Sequence, residues 1–178
     1  KYTGWGGFKS VTKWNEMIKE PSFIISEDAI LYEYYTPLNL TYSIFERVKE
    51  IIEGKKGLLE VPKFRDAYTV LEPSAGIGRL IAPVYGEKDF RIKAIEPSMQ
   101  SSKILMSLYP EVDLSRRTFD SWAVENDPKG IYSVILANPP YADRGEEVLI
   151  DPSWTYKKAE DYQLMRTLPM LNKGGISV

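Results

Sequence analysis

Residues 138–141 read Asn-Pro-Pro-Tyr and directly follow the apolar run 131–137. Proline fixes φ and has no N–H to donate, so the turn is stiff. The Asn138 side-chain oxygen and the Pro139 carbonyl can both face outward as acceptors, and Pro140 holds the turn in place. A planar NH2 group on a nucleobase offers two hydrogens to such a pair. Accepting both draws the nitrogen lone pair out of conjugation and makes the nitrogen nucleophilic without a general base. Tyr141 can stack on the ring that carries the amine, a contact worth about 1–3 kcal/mol per base. Preorganised hydrogen bonds at a site of developing charge are worth about 3–4 kcal/mol each. The plainer alternative is a proline-rich strand terminator.

A second stretch, LEPSAGIGRL over 71–80, runs from a strand through a glycine turn. Without side chains, Gly76 and Gly78 let backbone approach a ligand closely. In doubly wound sheets ligands sit at the carboxyl ends of strands, over turns of this kind. Glu96 follows Gly76 by twenty residues, at the end of the next expected strand, where an acid accepts hydrogen bonds from ribose hydroxyls. The stretch has no GKS or GKT and is not a phosphate loop. Glu72, ahead of the glycines, suits a ligand with a positive end, an ammonium or a sulfonium; S-adenosylmethionine carries both. Asp120 can take an exocyclic amine of such a ligand, with Phe119 or Trp122 against its ring. The alternatives stay open: a tight turn without ligand, an exposed strand-end acid, and a core aromatic beside a surface aspartate.

The chain contains neither Cys nor His. Disulfides, thiol chemistry, imidazole acid–base work and Cys/His metal sites are excluded, and no metal is expected. The net charge is −2 and the pI near 5.4. Residues 1–66 carry ten basic and ten acidic side chains, and residues 67–178 thirteen and fifteen. Neither half is a basic module, so a DNA partner needs a local patch or another region. No apolar run approaches the ~18 residues of a membrane span, and KYTGWGGF lacks a signal-peptide core. A cytoplasmic location is expected. The chain starts without Met and stops on GGISV, which reads as a strand cut short; a fragment is expected.

The elements around these motifs change rhythm near residue 66. Before it, apolar spacing predicts helices over 9–20 and 26–33. A longer helix is expected to about residue 53, with Thr36 as N-cap, Pro37 as its first residue, Ile44, Phe45, Val48, Ile51 and Ile52 on one stripe, and Gly54 ending it. After it, short strands alternate with helices: strands over 67–71, 90–95, 112–114, 131–137 and from 175, helices from Gly78 to about Gly86, over 98–109 with Ile104, Leu105 and Leu108 inward, and over 157–171, shortened by Pro169. Residues 142–156 read as a polar loop. Near-continuous apolar strands separated by helices predict a parallel, doubly wound α/β sheet.

Taken together, EPSAGIG, NPPY and the earlier Tyr34-Tyr35-Thr36-Pro37 resemble the amino-group DNA methyltransferases that use S-adenosylmethionine, the adenine-N6 branch in its gamma motif order. The opening 2–8, YTGWGGF, resembles a stretch of large phage and plasmid adenine methylases often fused to helicases. The resemblance implies a Rossmann-like class I methyltransferase core over 67–178, incomplete at its C-terminal end, preceded by a helical segment over 1–66. It implies that Tyr35, Thr36 and Pro37 contact the methionine end of the cofactor and that Glu72, Pro73, Ala75, Gly76 and Gly78 line its pocket. Glu96 holds its ribose, and Asp120 with Phe119 its adenine. Asn138, Pro139, Pro140 and Tyr141 grip a base flipped out of DNA, and Arg144 and Trp154 close over it. It also leaves open an RNA or protein-glutamine acceptor, or a non-catalytic cofactor- or DNA-binding module of a larger antirestriction or replication protein.

Overall fold

The computed structural model describes residues 35–54, 63 and 66–178. The helices expected over 9–20 and 26–33, and the Trp5 stretch, lie outside the described residues. Five strands, β1 (Tyr68–Glu72), β2 (Phe90–Ile95), β3 (Asp113–Ser115), β4 (Tyr132–Ile135) and β5 (Leu171–Ser177), form one sheet in the order β3-β2-β1-β4-β5. Every pairing is parallel. Strand interiors are apolar on both faces because helices cover both: Val70 and Leu71 point to opposite sides and are both buried, as are Val134 and Ile135.

On one face, α1 (Leu38–Gly54) lays Phe45, Val48 and Ile52 against Val70 and Val134. The helix starts one residue later than expected, with the Thr41 N–H donating to the Pro37 carbonyl at 3.0 Å. On the same face, α2 (Met99–Leu108) is capped by Ser98, whose hydroxyl accepts from the Ser101 N–H. Its inward side is Ser101, Ser102 and Leu105; the expected Ile104 and Leu108 are 42% and 54% exposed. Small serines let the helix lie close to β2, and the Ser102 hydroxyl is satisfied by the Glu96 carbonyl at 3.1 Å.

The opposite face carries α3 (Phe119–Asn126) and α4 (Ala159–Thr167), whose Phe119, Trp122, Ala123 and Tyr162 pack on Leu71, Ile95 and Ile135. A 3-10 turn over Leu168–Met170 follows α4 where Pro169 stands. Two expectations fail here. The helix expected from Gly78 to Gly86 is a run of turns, with the Ala82 N–H on the Gly78 carbonyl and both Val84 and Tyr85 N–H groups on Ile81. Pro83 has no N–H for the Arg79 carbonyl and its ring obstructs a regular helix. Conversely α3 was not expected, although Thr118 caps it by accepting from the Ser121 N–H. No helix among the described residues is long and apolar enough to cross a membrane.

Gly78 belongs to this packing. Its φ is +83°, and a Cβ there would stand 2.7 and 2.9 Å from two ring carbons of Tyr109. Gly78→Ala is expected to cost about 1–3 kcal/mol through strain and overpacking. Denaturant unfolding checks it; a loss inside the error of the wild-type value contradicts it.

Candidate functional site

The chain winds from β1 through β2 to β3, then returns to the other side of β1 for β4 and β5. The reversal leaves a crevice outside the carboxyl ends of β1 and β4, where ligands of open α/β sheets bind. A cleft of about 270 Å³ lies there. It gathers Tyr35, Thr36, Glu72, Pro73, Ala75, Gly76, Glu96, Phe119, Asp120, Asn138, Pro139, Pro140 and Tyr141. Pro37 and Gly78 do not line it: Pro37 starts α1, and Gly78 backs onto Tyr109. Trp122 is buried in the core behind it.

Each wall is fixed by side chains that satisfy backbone. The Glu96 carboxylate accepts from the Gly76 N–H through Oε2 and from the Ser98 N–H through Oε1, both at 2.7 Å. It therefore ties the glycine turn after β1 to the turn after β2. Gly76 has φ +53°, and a Cβ there would meet the Tyr35 ring at 3.1 Å, so this wall has no room for a side chain. The Ser74 hydroxyl is 3.1 Å from both the Asn138 carbonyl and Gln163 Oε1, while Gln163 Nε2 donates to the Pro73 carbonyl at 3.3 Å. These contacts bind the EPSAGIG turn to the NPPY turn. Asn138 Nδ2 donates to Thr36 Oγ1 at 3.4 Å, and the Tyr141 hydroxyl lies 3.5 Å from Asn138 Oδ1. Tyr141 itself is 68% exposed.

Ser74, Arg79, Glu147 and Gln163 also line the cleft and were not anticipated. Ser74 sits inside the quoted motif; Gln163 and Glu147 carry no local signal. Arg144 and Trp154, expected to cover a bound base, do something else. The Arg144 side chain is fully buried and pairs with Asp120 through Nε at 2.9 Å and through Nη2. Its guanidinium lies 3.5 Å from the Tyr162 ring centre and donates to the carbonyls of Trp154 and Tyr156, both at 2.9 Å. Trp154 packs against the core. The expected polar loop over 142–156 is thus a strap built around a buried cation. It includes a 3-10 turn, Gly145–Leu149, and an antiparallel bridge from Asp143 to Lys158.

The cleft is acidic. Glu72 is 3% exposed, and its Oε2 has no hydrogen-bond partner among the described residues. Burial, and then the charge of Glu96, raise its carboxyl well above the ordinary 4.5. Glu147 is raised too, by burial first and then by Asp120, with Arg144 opposing.

No family model matches this sequence, and no curated protein does. Among solved structures, a candidate class I S-adenosylmethionine-dependent methyltransferase from Listeria monocytogenes is 14% identical, with a TM-score of 0.60 over 86% of this chain and 47% of that one. The chain has the class I methyltransferase fold. PKMT2 from Rickettsia typhi, in complex with AdoHcy, is 18% identical, with a TM-score of 0.48 over 77% of this chain and 24% of its own. The chain thus spans less than half the length of either structure. In the class I fold seen here, β3 is only three residues long, and the acids stand at the ends of β1 and β2.

Glu72 makes stability depend on pH. Its folded value lies above its unfolded value, so the folded state binds more protons between the two. Its contribution is full below about 4.5, the ordinary value, and is lost as pH rises through the raised one. Glu72→Gln is expected to remove this slope and leave the unliganded protein more stable than wild type at neutral pH. Denaturant midpoints of both proteins across pH 4–8, a window set by about 4.5 and the range above it, test this. A constant difference between them would contradict the assignment.

Proposed function

We propose that this chain is the cofactor-binding core of an enzyme that transfers a methyl group from S-adenosylmethionine to an exocyclic nucleobase amine, adenine N6 of a base flipped out of DNA. The observation that carries the reading is the junction of the two turns: Ser74 holds the NPPY backbone 3.1 Å from its hydroxyl, at the end of the strand that presents Glu72. A cationic group at Glu72 and an amine at Asn138 are thereby neighbours.

The residues fit the cofactor. The buried Glu72 Oε2, without a partner among the described residues, is costly unless a cation or donor meets it. Glu96 lines the cleft at the end of β2 with its carboxylate fixed by the Gly76 and Ser98 N–H groups, at the place where ribose hydroxyls donate to an acid. Phe119 offers an aromatic edge further along the cleft, and Tyr35 covers Gly76. When bound, the cofactor supplies an electrophilic methyl group on a sulfonium. The protein's part is to align and to polarise. Asn138 Oδ1 and the Pro139 carbonyl accept the two amine hydrogens and hold the nitrogen pyramidal, its lone pair aimed towards Glu72. Pro139 and Pro140 fix that geometry before the base arrives. The exposed Tyr141 ring stacks on the base. The proton released from nitrogen goes to solvent, since no residue of the chain has an imidazole or thiol to take it. With a net charge of −2, duplex binding falls to a local surface or to other parts of the protein.

The full-length protein with methyl-labelled S-adenosylmethionine and unmethylated DNA is expected to yield labelled N6-methyladenine. Label in RNA or in glutamine instead would keep the site and replace the substrate. No label in any acceptor, with cofactor still bound, would leave a non-catalytic module. Two substitutions should separate. Asn138→Ala is expected to lower methyl transfer by about two to three orders of magnitude with cofactor affinity nearly unchanged. Glu96→Ala is expected to weaken cofactor affinity, measured by calorimetry. Wild-type turnover in the first, or wild-type affinity in the second, sinks the corresponding role.

A further inference from the structure

Resting on the cofactor reading above, a ligand laid from Glu72 at the end of β1 to Glu96 at the end of β2 continues towards the loop after β3. There Thr118, Phe119 and Asp120 enter the lining. The base of the nucleoside comes to that end, and its exocyclic amine needs an acceptor. Asp120 is the nearer-looking choice in sequence, but it is only 6% exposed, and two N–H groups of Arg144 converge on its Oδ1. The pair with Arg144 offsets the charge of Asp120 and fixes its orientation, which weakens its pull on a further donor.

The same arginine delivers another acid. The Glu147 N–H donates to the Arg144 carbonyl at 3.0 Å, and Arg144 Nη2 reaches the Glu147 carbonyl at 3.3 Å. The short 3-10 turn closed by these bonds carries the Glu147 side chain into the cleft lining, next to Asp120. Among the described residues the Glu147 carboxylate enters no ion pair, and it is half-buried rather than sealed. We propose that Glu147 is a specificity residue that accepts the 6-amino group of the cofactor's adenine, and that Asp120 serves to hold Arg144, which positions Glu147.

The test compares S-adenosylhomocysteine with its 6-oxo analogue, S-inosylhomocysteine, by calorimetry on the full-length protein. The oxo group puts a lone pair where the amine puts a hydrogen. The wild type is expected to favour the amino compound by about tenfold, the scale of one hydrogen bond. Glu147→Ala is expected to reduce that preference to about twofold or less. Glu147→Gln can turn its amide to accept from the amine or to donate to the oxo group, so it should bind both compounds with the preference largely lost. A merely structural role for Glu147 would weaken both compounds alike and leave their ratio unmoved. A full preference in the alanine variant, or none in the wild type, overturns the assignment while the cofactor reading stands. Wild-type protein that binds neither compound overturns the cofactor reading and this assignment with it.

Discussion

Everything at the cleft follows from the reversal of winding between β1 and β4. Two strands there run side by side with no crossover above their carboxyl ends, so the turns that follow must find their own hydrogen bonds. They find them in each other. The Leu136 N–H donates to Leu71, the Ala75 N–H to Ile95, the Gly76 N–H to Glu96, and the Ser74 hydroxyl meets the Asn138 carbonyl. Satisfying backbone and assembling a site are the same act here. The side chains that stabilise the turns also set the spacing between an acid and an amide.

That economy is incomplete at Glu72. A buried carboxylate whose Oε2 has no hydrogen-bond partner among the described residues, beside a second acid, disfavours its own charge and the folded state that imposes it. Its neighbour does not relieve it: Glu96 is itself an acid, committed to two N–H groups. Local cost at a concave acidic site is the pattern expected where binding a cation returns what folding gave up.

Strands are the legible part of this fold: burial on both faces makes β4 a nearly continuous apolar run, and β2, where Phe90, Ile92 and Ala94 alternate with Arg91 and Lys93, is predicted to the residue. The turns are legible because glycine and proline restrict backbone in known ways. What escapes local reading depends on distant partners. Strand order has no signature within any one strand. The segment after Gly78 has helical apolar spacing, but Pro83 breaks its hydrogen bonding. α2 turns Ser101, Ser102 and Leu105 inward and leaves Ile104 outside, a helix phase that fits the bond from the Ser102 hydroxyl to the Glu96 carbonyl. α3 carries a cap at Thr118 and an acid in its first turn, but at eight residues it is too short for a clear apolar period. Arg144 looks like a surface residue in a polar run. The carboxylate 24 positions earlier, the Tyr162 ring and the carbonyls of Trp154 and Tyr156 make its burial tolerable.

The amide of Asn138 shows how far preparation extends before any substrate is present. An amide has two chemically different ends, and only the oxygen can accept an amine hydrogen. Thr36 Oγ1 takes a hydrogen from Nδ2, which directs Oδ1 the other way, towards the Tyr141 hydroxyl. Thr36 itself is held at the start of α1, whose Phe45, Val48 and Ile52 are locked onto the sheet. The orientation of one side chain at the end of β4 is therefore set by a helix a hundred residues earlier. Thr36 lines the cleft and also fixes which end of the Asn138 amide faces Tyr141. The Tyr141 contact at 3.5 Å is long for a hydrogen bond between oxygens, so the hydroxyl holds Oδ1 only weakly, and the stiffness of two prolines keeps the amide from following the hydroxyl away.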